Sequence, residues 1–596
     1  MEKEMNRFFI CMSLSLALVA LWIASPSMAS VTFSPNVPVM DVEDVVPGLK
    51  GKAYTVVSGT SVKTFPVTVI SVIPQNGTPS NLILIRAEGP IIEATGGIAA
   101  GMSGSPVFVG KKLIGAIGYG WNFSDHRLGL VTPIDDMCQI FSWKDMKRKF
   151  VPFVDYLTET GKVSSDMEPK AERMVLSLSG IGGRSRQRLS ESLDMPVVLA
   201  GSSWRGADAV EYGSSLVPGS AIGVLLVWGD VTLGATGTLS ALAEDGRFLA
   251  FAHPFISNGA VSYPVTKAWI HHVIPSVEAP FKIGSFGPIV GTVTQDRPQA
   301  IGGRMGTFAP ALDLSLRFHD RDQGKREIRR FRAVPEPFLV SRAVPAVFMG
   351  LTDDLWGRKG AGTAKLTVTF EGGGLPRGWT YTNYLFSPSD IVETMSKEVE
   401  GLVSTVALNP FRELLPLGVH FAVDVTRDPR ILYVDSIRLD GDTYSPGDTV
   451  IVSVDLRPYR GKSRTREFSL IVPEKAIGPC RIAVRGGGLG EPDGGEMGDM
   501  DRSISSLPEL LGELDDRERN NEVVIELIYQ DMGSEMPEDF RSPRSLEFPG
   551  EIRRRKIKEG SMRVYRSDYY VDGSLQKSFV VVPEGKEGEG TSKEKE

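Results

Sequence analysis

Short runs of alternating apolar and polar residues, separated by Gly, Pro and Asn-Gly, fill most of the chain beyond residue 30. Between residues 52 and 120 five such runs occur, at 53–57, 65–72, 81–85, 106–109 and 112–119. That spacing predicts an antiparallel barrel or sandwich. Residues 137–157 and 167–193 carry more charge and weaker periodicity, so they read as helical or as linker. The two-residue period resumes at 221–228, 231–242, 248–251, 281–283 and 289–294, and 311–317 and 328–333 extend this second β region. Residues 364–370 alternate again. Ser-Pro-Ser-Asp at 387–390 then opens a stretch with Ile391, Met395, Val399 and Val403 at helical spacing. Residues 431–473 read as a small β-sandwich turning at Ser445-Pro446-Gly447-Asp448. Residues 486–502 are rich in Gly and acid and read as a flexible loop; 583–596, mostly Lys, Glu and Gly, read as a disordered tail.

The expected organisation is a segment 1–29, a β unit 30–145, a connection 146–216 and a second β unit 217–345. A mixed α/β region 346–429, a sandwich-like module 430–485, a loop and mixed region 486–582 and the tail 583–596 follow. A chain of 596 residues is too long for one core, in keeping with several folded units. The formal net charge of −7 supplies no electrostatic reason to expect nucleic acid or an anionic membrane as partner. At the N-terminus, Lys3 and Arg7 precede an apolar run at 8–24, Pro26 breaks it, and Ser27-Met28-Ala29 offers a small-residue cleavage site. A signal peptide cut after Ala29 is expected; the other reading is an uncleaved anchor that tethers the chain to a membrane. Either way the bulk of the chain is expected outside the cytoplasm, periplasmic or extracellular and associated with the cell envelope. Of the three cysteines, Cys11 lies in that segment, leaving Cys138 and Cys480 far apart. No Cys/His cluster has zinc spacing and no calcium loop appears, so neither a structural metal nor a cofactor is expected.

The candidate chemistry centres on Gly101-Met102-Ser103-Gly104-Ser105-Pro106. A serine hydroxyl becomes a nucleophile only when a base takes its proton and backbone N–H groups receive the oxyanion. Gly101 lets the backbone turn its N–H groups toward one point, which makes the N–H groups of Gly101 and Ser103 the natural oxyanion hole. The turn lies between β runs, and position 105 is Ser, so the Gly-x-Ser-x-Gly elbow is not met. On these residues alone a plain Gly/Ser turn stays open. Among six histidines, His253 ends an apolar strand, where a rigid scaffold would present a base. His271 and His272 read as packing or surface residues. A Ser–Lys dyad through Lys111 or Lys112 is the other arrangement, though both sit at a hairpin tip.

The hexapeptide resembles the nucleophile turn of chymotrypsin-like peptidases. With its flanks, Thr95-Gly96-Gly97-Ile98-Ala99-Ala100 before it and residues 107–116 after it, it resembles the stage IV sporulation protein B family of trypsin-like serine peptidases. Gly237-Thr238-Leu239 through Phe251-Ala252-His253 is similar to the segment that carries that family's catalytic histidine, with Ala252 where the family has glycine. The resemblance covers about residues 40–139 and 217–306, and no counterpart of the family's PDZ module is evident. It implies a mainly β, double-β-barrel fold over those residues, beside the C-terminal β-sandwich-like module read from 431–473. It also implies a triad of Ser103 as nucleophile, His253 as base and an acid just upstream of the serine. The matching position for the acid is Glu88; Glu93 and Asp296 stay open as rivals. In the family the histidine half comes first, whereas here Ser103 precedes His253, so the halves read as circularly permuted. A barrel cleft accepts either order. The resemblance implies protein or peptide substrates and a narrow regulatory role. The reading from another class is a catalytically inactive envelope scaffold or binding protein on the same fold, for which the Glu-for-Asp change and the altered order leave room.

Overall fold

The computed structural model describes residues 33–143, 170–171, 174–201, 215–375, 378–411, 414, 418–489, 504–529 and 548–583. The expected signal segment, most of the acidic loop and nearly all of the charged tail lie outside the described residues.

The first β unit closes on itself. Strands Lys50–Val56, Val62–Pro74 and Asn81–Ala87 pair in sequence. Leu128–Pro133 and Lys112–Gly120 continue the sheet, and Pro106–Val109 pairs with both Lys112–Gly120 and Lys50–Val56 to shut the ring. Alternation does what it predicts: Phe65, Val67 and Val69 point inward from one strand, and with Ala53, Ile83, Ile85 and Val131 they form a separate core.

The second unit is also a six-strand ring. Ala221–Gly229 pairs with Thr232–Leu242 on one side and Gly259–Ile274 on the other. The order then runs through Phe281–Arg297, Ala300–Met305 and Arg247–Ala250 back to Thr232–Leu242. A mainly β double barrel is therefore the framework, as the alternation and the resemblance implied. The barrels meet through a shared apolar layer: Leu113, Ala116, Ile134 and Met137 from the first, Ala241, Leu249, Ala252 and Ala300 from the second. Burial of such a layer is the main force holding the barrels together.

The sheet of the second barrel continues outward through Lys325–Ala333, Leu312–Asp320, Gly418–Thr426, Gly362–Glu371 and Trp379–Ser387. Helices Pro337–Trp356 and Ile391–Ala407 cover it. Asp390 caps the second helix, accepting from Glu393 N at 3.1 Å, as the Ser-Pro-Ser-Asp opening foretold. Arg184, on helix Arg184–Leu193, donates to both carboxylate oxygens of Asp353 at 2.8 Å and also to Asp390, pinning three helices together. The C-terminal module consists of a four-strand and a five-strand sheet around their own core. Its second sheet comes largely from Gly478–Gly486, Glu522–Ile528, Met562–Arg566 and Ser574–Val581, so the module runs well past residue 485. Cys138 and Cys480 are free thiols.

Candidate active site

The serine turn is a tight double bend at the barrel interface. Met102 N donates to Ala99 O at 2.8 Å and Ser105 N to Met102 O at 2.9 Å. Gly101 and Gly104 have φ of 91° and 89°, which a side chain would strain. The turn is riveted to its own barrel by Gly104 N to Ile117 O at 2.7 Å and Ile117 N to Ser105 O at 3.0 Å. The second barrel grips its other side. Thr238 N donates to Ser103 O at 2.9 Å, Thr238 Oγ1 to Gly101 O at 3.1 Å and Ser240 Oγ to Gly104 O at 2.8 Å. A Cβ on Gly104 would lie 2.1 Å from Thr238 O and 2.5 Å from Phe251 N, so glycine is required there by contact as well as by φ. All five carbonyls from Gly101 to Ser105 thus accept a hydrogen bond, while no described residue accepts from the Gly101 N–H. Ser103 is fully buried.

His253 arrives from the second barrel two residues beyond that contact. Phe251 and Ala252 both take left-handed conformations, with φ of 67° and 58°. For a bulky residue this is a strained backbone of the kind that accumulates at functional sites. The φ at Ala252 is one that glycine adopts without strain. The first barrel walls the segment in: Thr132 Oγ1 donates to Ala252 O at 2.6 Å, and the Tyr119 ring lies edge-on to the imidazole at 6.1 Å. Tyr119, its hydroxyl on Pro298 O at 2.9 Å, is itself pushed up to about 12 by burial.

The imidazole has a definite polarity. Nδ1 lies 2.6 Å from Pro254 O, and a carbonyl can only accept, so Nδ1 carries the proton. Nε2 is then the lone-pair nitrogen. It is buried and has no hydrogen-bond partner. Burial lowers the His253 pKa to about 4, the Pro254 bond opposing this only in part. The group is a neutral base at neutral pH. No hydrogen bond joins it to Ser103 in this conformation.

No carboxylate bonds either ring nitrogen. Glu88, expected to orient His253, is exposed, and its charge and that of exposed Glu93 act on Arg127. The orienting bond that the triad logic assigns to an acid is made here by the Pro254 carbonyl. Asp296 is buried and lies closer to the chemistry, but it grips the loop after His253: Oδ1 accepts from Phe255 N at 2.6 Å, and Oδ2 from Ile256 N at 2.8 Å and Asn258 N at 3.2 Å. Desolvation raises its pKa against the lowering by those backbone donors.

Lys111 and Lys112 are exposed at their hairpin tip. The lysine at the site is Lys282, which sequence reasoning missed. It is buried, and Nζ donates to the buried Thr55 Oγ1 at 2.9 Å. Its stem lies 3.0–3.3 Å from where a Gly101 Cβ would be. A lysine at an inward-facing position of the run 281–286 was the available signal. His126, His271, His319 and His420 are engaged with Val277 O, Ser285, Asp424 and Ser315 respectively.

Comparison with known proteins bears on the first barrel. Residues 24–138 match the family model described as SpoIVB peptidase S55. This stretch is similar to the SpoIVB serine peptidases over those residues. The match takes in the whole first barrel and Ser103, and it ends before the second barrel and His253. No curated protein and no solved structure matches the chain. The match supports a serine peptidase, a class whose substrates are proteins or peptides.

Proposed function

We propose that the chain is an exported serine endopeptidase in which Ser103 is the nucleophile and His253 the general base, on barrels in permuted order. The observation that carries the reading is the orphaned Nε2 of His253: a neutral, buried imidazole, its proton held on the other nitrogen, two residues from the contact with the serine turn. When Ser103 Oγ attacks a peptide carbonyl carbon, its proton passes to Nε2, and the C=O electron pair becomes an oxyanion held by the Gly101 and Ser103 N–H groups. The imidazolium returns that proton to the leaving amine, and water cleaves the acyl-serine by the same route. Pro254 O keeps Nδ1–H in place throughout, the role proposed from sequence for Glu88. The turn and the ring approach to bonding distance once substrate is bound, as catalytic contacts commonly tighten only then. The basic N-terminal flank, apolar run and small-residue site at 27–29 support export to the cell envelope, and the family's habit supports a narrow regulatory substrate range. Cleavage of a peptide library by the mature chain, absent in Ser103→Ala, tests the reading. Equal cleavage by the two proteins would remove it in favour of a scaffold role.

A further inference from the structure

A peptide carbonyl that is to be attacked must reach both Ser103 Oγ and the Gly101 N–H. In this conformation it can reach neither: Ser103 and His253 are 0% exposed, and the stem of Lys282 lies across Gly101. The segment that closes over Gly101 and Ala100 is the return of the long hairpin formed by Gly259–Ile274 and Phe281–Arg297. Ala100, immediately before the oxyanion glycine, donates from N to Pro280 O at 2.7 Å and accepts at O from Lys282 N at 2.9 Å. This is a complete strand bridge, formed with Phe281 opposite Ala100. Extended peptides bind proteins by supplying just such main-chain pairing to an open edge.

We propose that residues 280–282 are a resident strand in the substrate groove, and that a substrate peptide enters by replacing them in the pairing with Ala100. The inference rests on Ser103 being the nucleophile. The strand is held along its length by pairing with Val273 and Ile274 and by Lys282 Nζ on Thr55 Oγ1 at 2.9 Å, and it is also tied at its tip. Phe123 N donates to Glu278 O at 3.0 Å, and His126 Nε2 to Val277 O at 3.1 Å. The tip itself buries little: Val277 is 85% exposed. Lifting the tip alone exposes few apolar groups, whereas displacing 280–282 also uncovers buried Pro280 and Lys282, so a competing peptide must fill their places as well as restore the two Ala100 hydrogen bonds. A protease closed in this way acts only on chains able to displace its own strand, which gives a physical basis for narrow selectivity.

The test locks the strand. In the full mature chain, Phe123→Cys with Glu278→Cys places two thiols on exposed residues whose backbones are hydrogen-bonded, and mass spectrometry verifies the bridge. Labelling of Ser103 by a fluorophosphonate is then followed with and without reductant. The expected result is labelling at least about tenfold slower in the oxidised form, with reduction restoring the wild-type rate. His126→Ala, which unties the tip without touching the catalytic groups, should label several-fold faster than wild type. Equal rates in the oxidised and reduced forms would overturn the resident strand while leaving Ser103 as nucleophile. Absence of labelling in every form, His126→Ala included, would overturn the catalytic reading itself and the strand with it.

Discussion

Lowering the pH asks His253 to take up a proton in a site built to refuse it. Its pKa falls from 6.5 to about 4 because the imidazolium would be fully desolvated. A shift of that size corresponds to about 3 kcal/mol of preference for the neutral ring. Two consequences share one sign. In activity, the base stays competent well below the usual histidine range, so the rate of fluorophosphonate labelling should hold from pH 8 to about pH 5 and fall with a one-proton slope near pH 4. In stability, the unfolded chain binds the proton below 6.5 while the folded chain does not until about 4. The unfolded state therefore holds more protons in that window, and stability is lost as the pH falls through it, by up to about 3 kcal/mol. Urea unfolding at pH 7.5 and pH 4.5 for wild type and His253→Gln isolates the contribution, because the other titrating groups cancel in the difference. An acid limb near pH 6.5, or the same pH dependence of stability in the two proteins, would refute a buried, neutral His253.

Further outcomes follow from single contacts. Glu88→Gln should label within about threefold of wild type, since the residue is exposed and no carboxylate bonds His253; a loss near 10⁴, the scale for an orienting acid, would restore it to the triad. Asp296→Ala should cost about 2–4 kcal/mol in urea unfolding and slow labelling as well, because three backbone N–H groups after His253 lose their acceptor. Gly104→Ala should lower thermal stability strongly, on the order of 3 kcal/mol or more, and abolish labelling, as its Cβ would collide with Thr238 O and force the barrels apart.

The parts of this fold that were readable in the sequence are those governed by local rules. Phe65, Val67 and Val69 announce an inward face by alternation alone, and Asp390 announces a helix start. The serine turn is visible because the glycines at 101 and 104 answer to positive φ, a local demand. Helix Pro337–Trp356 escaped notice because it is buried all round and carries Pro345 in its interior, which erases the one-sided stripe that marks an exposed helix. The second sheet of the C-terminal module is assembled by pairings such as Cys480 with Phe579, far apart in sequence and without a local signal. At the site, the orienting partner of His253 is a backbone carbonyl, which no residue type can advertise, and Lys282 reaches Gly101 only because two barrels meet.

The central claim is that Ser103 is activated by His253. Mass-spectrometric mapping of a fluorophosphonate adduct on the intact mature chain, repeated with Ser103→Ala and His253→Ala, tests it most directly. The account predicts one adduct on the peptide bearing Ser103, absent in the first variant and formed at least about 10³-fold more slowly in the second. An adduct on another residue, or one on Ser103 that forms equally fast without His253, would contradict it.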